Sequence, residues 1–124
     1  MKLLLDTHVL LWWRSDDPRL PQVSRDAIAD PANEICISTA TFAEIAIKKS
    51  LGKLSIDGDY TDVESIGFTS VPFPKGAAKQ LEALPFHHRD PFDRMLIAHA
   101  LADNAALVTT DERIRQYDVP VLPQ

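Results

Sequence analysis

The chain is poor in cysteine, in surplus positive charge and in long apolar runs, and each shortage excludes something. One cysteine among 124 residues rules out an intrachain disulfide. Its setting, Ile35-Cys36-Ile37, reads as a buried strand thiol and fits a reducing compartment. Leu3-Leu4-Leu5 is broken by Asp6 too soon for a signal peptide, and no later stretch is long enough to span a bilayer. The expectation is a cytoplasmic protein with no membrane partner. A formal net charge of −5 argues against a nucleic-acid binder that relies on a broad basic surface. It does not exclude an enzyme with an acidic site and a few local basic contacts. Repeats, low-complexity tracts and linkers are also missing. With 45% apolar residues, the chain is expected to form one domain over 1–124, with a core that needs neither disulfides nor a structural metal.

The most informative stretch is His87–Asn104, HHRDPFDRMLIAHALADN. Asp90-Pro91 predicts an N-cap followed by proline at the first helical position, and Leu96, Ile97, Ala100 and Leu101 continue as an apolar stripe at helical spacing. Asp93 therefore lies in the first turn and projects from the helix end, where a loop-lined cleft belongs. An acid there also resembles a capping-box partner or a dipole-stabilising charge.

Lys2–Leu5 predicts a strand ending at Asp6, with His8–Arg14 a helix that follows at once. Asp6 is placed either for a site beyond the carboxyl end of the sheet or as a helix cap. Trp12 and Trp13 point to different sides of that helix, so packing is expected, with at least one in the core. Gln22–Asp30 predicts a helix, Glu34–Ser38 a strand and Thr39–Leu51 a helix closed by Gly52. Glu44 lies early in that helix among apolar neighbours. It either enters a polar pocket or pairs with Lys48 four residues on. Lys48, Lys49 and Lys53 are expected to form a solvated face.

A short connector at Lys53–Ile56 and a weakly patterned helix over Asp59–Ile66 lead to a strand at Phe68–Phe73, which Pro72 assigns to a sheet edge. A helix at Lys75–Leu84 precedes the capped helix. Ala106–Thr109 is then a strand with Thr110 and Asp111 at its end, Glu112–Tyr117 a short helix and Val119–Leu122 a terminal edge strand. Alternating strands and helices predict an α/β fold, a parallel sheet of four to five strands with helices on both faces.

Asp6, Glu44, Asp93 and Asp111 all fall where a strand ends or a helix begins, and right-handed crossovers bring successive strand ends to one edge. Two like charges about 4 Å apart repel by roughly 4 kcal/mol at the dielectric typical near a protein surface, so four carboxylates together need a cation or protons. Oxygen ligands alone favour Mg²⁺ or Mn²⁺. His8, His87, His88 and His99 do not match a zinc spacing and are expected to be hydrogen-bonded helix-end residues.

The opening LLLDTHVLLWW, then STATFAEIAIKKSLGKL, HHRDPFDRMLIAHALA and LVTTD together resemble the PIN-domain toxins of bacterial toxin-antitoxin pairs, often called VapC. The resemblance spans the whole chain and implies a PIN-like fold. It also implies a ribonuclease in which Asp6, Glu44, Asp93 and Asp111 hold one or two divalent ions and a metal-activated water attacks the phosphodiester. Thr7 and Thr109 match hydroxyl positions that support such a site, and Asp90 is treated as the cap. Arg89 or Arg94 is a candidate to hold the scissile phosphate, or a surface partner of Asp90 or Glu112. An RNA substrate, an antitoxin protein and a homodimer are the partners implied.

Two other acidic α/β folds fit poorly. A receiver domain of a response regulator expects paired acids after the first strand and a lysine after a late one, whereas Asp6 is followed by Thr7 and His8, and Leu107–Asp111 has no lysine. A phosphatase of the haloacid class wants Asp-x-Asp, and His8 occupies the second position. A catalytically inactive PIN-like scaffold kept for protein binding stays open on sequence.

Overall fold

The computed structural model describes residues 1–124. In chain order the elements are β1 (Lys2–Leu5), α1 (Thr7–Ser15), α2 (Gln22–Ala29), β2 (Glu34–Ser38), α3 (Thr39–Ser50), β3 (Thr69–Val71), α4 (Ala77–Ala83), α5 (Pro91–Ala102), β4 (Ala106–Val108) and β5 (Val121–Leu122). The five strands pair in parallel in the order β3-β2-β1-β4-β5. The chain builds outward from β1 on one side, then returns to build outward on the other. The gap above β1 and β4 is thus the switch point of the sheet, where side chains from both halves meet.

Alternation along the strands feeds two cores. Leu3 and Leu5 join Val9, Leu10, Leu20 and Ile28 from α1, α2 and their connection, while Leu4 joins Leu96, Ile97 and Ala100 of α5 on the opposite face, together with Leu107 and Ile114. Cys36 is buried in the second of these cores. Burial and the neighbouring Glu34 push its thiol up to about 11, so it remains protonated and inert. Helix α3 bridges the layers, touching both α1 and α5.

Helix α5 begins as its sequence dictates. The Asp90 carboxylate accepts from Phe92 N and Asp93 N, Pro91 occupies the first turn, and Asn104 takes a left-handed conformation after the last turn. Three expectations shrink. The strand expected over 68–73 is only Thr69–Val71 because Pro72 and Pro74 supply no N–H to a ladder. It does lie at the sheet edge, as Val121–Leu122 does at the other. The helix expected over 59–66 is a single tight turn at Glu64–Ile66, since the Asp59 carboxylate captures both Thr61 N and the Thr61 hydroxyl in a local turn. The short helix expected at 112–117 is likewise one turn, Ile114–Gln116.

Neither tryptophan enters the core. Both are half-buried against its margin, Trp13 beside Phe68 and Trp12 beneath Arg19, whose guanidinium lies 5.3 Å from the ring centre. The lysine face is less solvated than expected: Lys49 donates to Ile56 O at 3.0 Å and lies over Tyr60, and Lys48 is paired with Glu44.

Leu107 is fully buried at the sheet centre. Leu107→Ala should lower the unfolding free energy by about 2–5 kcal/mol, read as a shift of the urea midpoint at constant slope.

Candidate active site

Asp6 is the residue at which β1 stops. Its N–H donates to Val108 O at 3.0 Å, tying the end of β1 to the end of β4. Its carboxylate caps α1 through His8 N at 2.8 Å and accepts the Thr109 hydroxyl at 2.6 Å. The cap reading of Asp6 holds, and because capping uses one oxygen the carboxylate still lies at the sheet edge. Burial outweighs these hydrogen bonds and holds the Asp6 carboxyl above the ordinary carboxylate range.

Glu44 is only 2% exposed. One oxygen accepts the Thr7 hydroxyl at 2.7 Å and the other meets Lys48 Nζ at 2.5 Å. The polar pocket and the ion pair expected as alternatives are one arrangement, and Glu44 in turn raises the Lys48 pKa. On the far side, Asp111 N donates to the Thr109 hydroxyl at 3.0 Å, so the same threonine that bonds Asp6 orients the segment carrying Asp111.

Asp93 shows how tightly these groups are gathered. Burial first, then the charges of Asp6, Asp90, Glu44 and Asp111, push its carboxyl up to about 8. The four acids singled out in the sequence are thus brought within one another's field, with Asp90 beside them as a fifth. Lys48 is the cation inserted among them, and its ammonium feels Asp90 and Asp93 as well as Glu44.

Sequence reasoning missed His88. It is buried, and its Nε2 lies 2.9 Å from an oxygen of Asp93 and 2.9 Å from one of Asp111. These three side chains offer ligand-type atoms within 4.8 Å of one another. The available signal was position: His88 is two residues before the helix cap, close enough to fold back over the first turn. His99 behaves as expected, held between Ser38 and Asp103 with burial lowering its pKa.

Arg94 does not pair with Asp90 or Glu112 on the surface. It is 7% exposed, and its guanidinium donates to the carbonyl oxygens of Leu81, Leu84, Pro85 and His88 while Phe86 lies 4.2 Å from it. Its donors are spent gathering the 81–88 segment. Arg89 is exposed and lines a shallow depression of about 390 Å³ with Phe86, His87, His88, Asp90 and Arg113.

The PIN domain family model matches residues 3–120. The chain belongs to the PIN domain family. It is similar to Ribonuclease VapC22 of Mycobacterium tuberculosis, 29% identical over 126 residues that cover 95% of this chain and 93% of that protein. Its fold is similar to VapBC2 from Rickettsia felis, solved bound to a DNA fragment from its promoter, at a TM-score of 0.70 and 17% identity over 98% of this chain and 97% of that one. FitAcB from Neisseria gonorrhoeae gives a TM-score of 0.65 at 18% identity, covering 96% and 95% of the two chains. No helix of this PIN domain is long and apolar enough to cross a membrane.

The raised Asp93 pKa means that folding takes up a proton between the ordinary aspartate value of 3.8 and about 8. The cost of folding an acid there is absent below that window, grows through it and levels off above it. In EDTA, Asp93→Asn should therefore match the parent near pH 4 and exceed it by on the order of 1–3 kcal/mol at pH 8, read from urea titrations across pH. Arg94→Ala should cost about 2–4 kcal/mol because several buried carbonyls lose a charged donor, measured the same way.

Proposed function

We propose that this PIN domain is a divalent-cation-dependent endoribonuclease, the toxin of a toxin-antitoxin pair. The observation that carries the reading is the gathering of Asp6, Glu44, Asp90, Asp93 and Asp111 with Lys48 among them, where burial first and then the neighbouring charges push the Asp93 carboxyl up to about 8. Kinship to a protein named as a ribonuclease supports RNA as the substrate.

The donor set fits a hard cation. Asp6, Asp93 and Asp111 offer carboxylate oxygens, and each oxygen of Asp6 that accepts one hydrogen bond keeps a second lone pair. A bound Mg²⁺ or Mn²⁺ supplies Lewis acidity toward the phosphodiester and lowers the pKa of an attacking water. The chain's own groups prepare that event. Thr109 fixes Asp6 and orients the segment of Asp111, Thr7 fixes Glu44, and Lys48 offsets the charge of Glu44 so that the remaining carboxylates face the cation. Asp93, whose carboxyl burial and neighbouring charges push up to about 8, would hold the cation once its proton is displaced. Arg89 and Arg113, on the rim of the adjoining depression, are the basic groups placed to hold a substrate phosphate.

Solved structures of similar fold described as toxin-antitoxin systems or complexes support an antitoxin partner, and pairing of two toxin chains is part of the same reading. Val23, Ile47, Leu51 and Phe86 are exposed apolar residues that such contacts would cover.

Purified protein incubated with structured and single-stranded RNA should cut in Mg²⁺ or Mn²⁺ and not in EDTA, and Asp6→Asn should reduce the rate by about 100-fold or more. Absence of cleavage of any RNA, together with absence of divalent-cation binding, would instead identify a binding scaffold.

A further inference from the structure

Five separate contacts fix His88, far more than a helix-end histidine needs. Its backbone N–H donates to the Tyr117 hydroxyl at 2.9 Å, and its carbonyl accepts from the Arg94 guanidinium at 3.3 Å. Tyr117 in turn donates its hydroxyl to Pro85 O at 2.7 Å, so the turn carrying His88 is pinned at both ends. The ring is fixed as well. Asp90 N–H donates to Nδ1 at 3.2 Å, and a ring nitrogen that accepts carries no hydrogen. The ring proton of the neutral imidazole is therefore on Nε2, the atom that lies 2.9 Å from both Asp93 and Asp111.

That arrangement settles which of two roles the ring can take. To act as a metal ligand Nε2 would have to present a lone pair, which requires the proton to move to Nδ1 and oppose the Asp90 N–H. The backbone of the α5 cap thus selects the donor. The Asp111 carboxylate accepts the Nε2–H with one oxygen and the Arg113 backbone N–H with the other, and Asp93 lies beside the same ring nitrogen.

We propose that His88 is a positioning residue that donates Nε2–H to Asp111, with Asp93 2.9 Å from the same nitrogen, and so pre-shapes the carboxylates that receive the divalent cation, without itself ligating it. The inference rests on the reading of the site as a divalent-cation centre. It explains why an imidazole lies within an oxygen-donor site meant for a hard ion: the ring serves the carboxylates and not the metal. Donors of this kind to metal-bound groups typically change metal affinity 10–100-fold when removed.

The test uses the full chain and Mn²⁺ alone as probe. Nitrogen-15 NMR of the metal-free protein should show His88 with a protonated Nε2 and a bare Nδ1; the opposite tautomer overturns the proposal. Calorimetric titration with Mn²⁺ should give an affinity about 10–100-fold weaker for His88→Ala, while His88→Gln, whose amide keeps two N–H donors, stays within about threefold of the parent. Equal loss in both variants means that the imidazole nitrogen is itself a ligand, and no loss in His88→Ala means that the ring is a bystander; either result overturns the proposal. If His88→Ala fails to fold, the tautomer and the His88→Gln affinity decide. An RNA assay in parallel separates this from the nuclease reading. Mn²⁺ binding that depends on His88 without RNA cleavage sinks only the nuclease, and cleavage with Mn²⁺ binding indifferent to His88 sinks only this inference.

Discussion

Mutual repulsion among carboxylates is the constraint around which this molecule is built. Left to water, Asp6, Glu44, Asp90, Asp93 and Asp111 would separate, yet the sheet delivers them to one edge and partly removes them from solvent. Asp6 and Asp93 respond by resisting ionisation. Such an arrangement persists only where the surrounding fold is stable enough to enforce it, and here the enforcement comes from two apolar layers that sandwich the strands from which the acids project.

Each acid is also held by a neutral or cationic donor of its own. Thr109 holds Asp6, Thr7 and Lys48 hold Glu44, the first turn of α5 holds Asp90, and His88 lies between Asp93 and Asp111. Behind His88 stand Arg94 and Tyr117, which bond backbone groups of the segment before α5 and never reach the acids themselves. The site is therefore supported from beneath by groups whose chemistry looks catalytic in isolation. An arginine four residues after a cap aspartate, in a segment full of acids, is structural here because the carbonyls of a helix end and a turn were nearer.

Much of this was legible from local chemistry. The start of α5 follows from Asp90-Pro91, the bounds of β1 and β2 from apolar runs ended by polar residues, and the edge position of β3 from Pro72. The four separated acids could be grouped because each marks an element end, and parallel topology sends those ends to one side. What was not legible depends on loops. The path of residues 53–66 is decided by an Asp–Thr turn that outcompetes a weak helical pattern. The roles of His88 and Arg94 depend on the fold of the 81–88 segment, which carries no periodicity. At least one of Trp12 and Trp13 read as core on hydrophobicity, but both stay half-buried against the margin of the first core.

The bond between Thr109 and Asp6 joins residues 103 positions apart, and β1 finds its second neighbour only in β4. A growing polypeptide that has exposed its first hundred residues thus has Asp6, Glu44, Asp90 and Asp93 but no pocket, because Asp111 and the Thr109 hydroxyl that orients its segment have yet to emerge. Long-range closure of this kind comes late in assembly. On the proposed ribonuclease reading, that timing would keep the site unformed while the chain's own messenger is still being read.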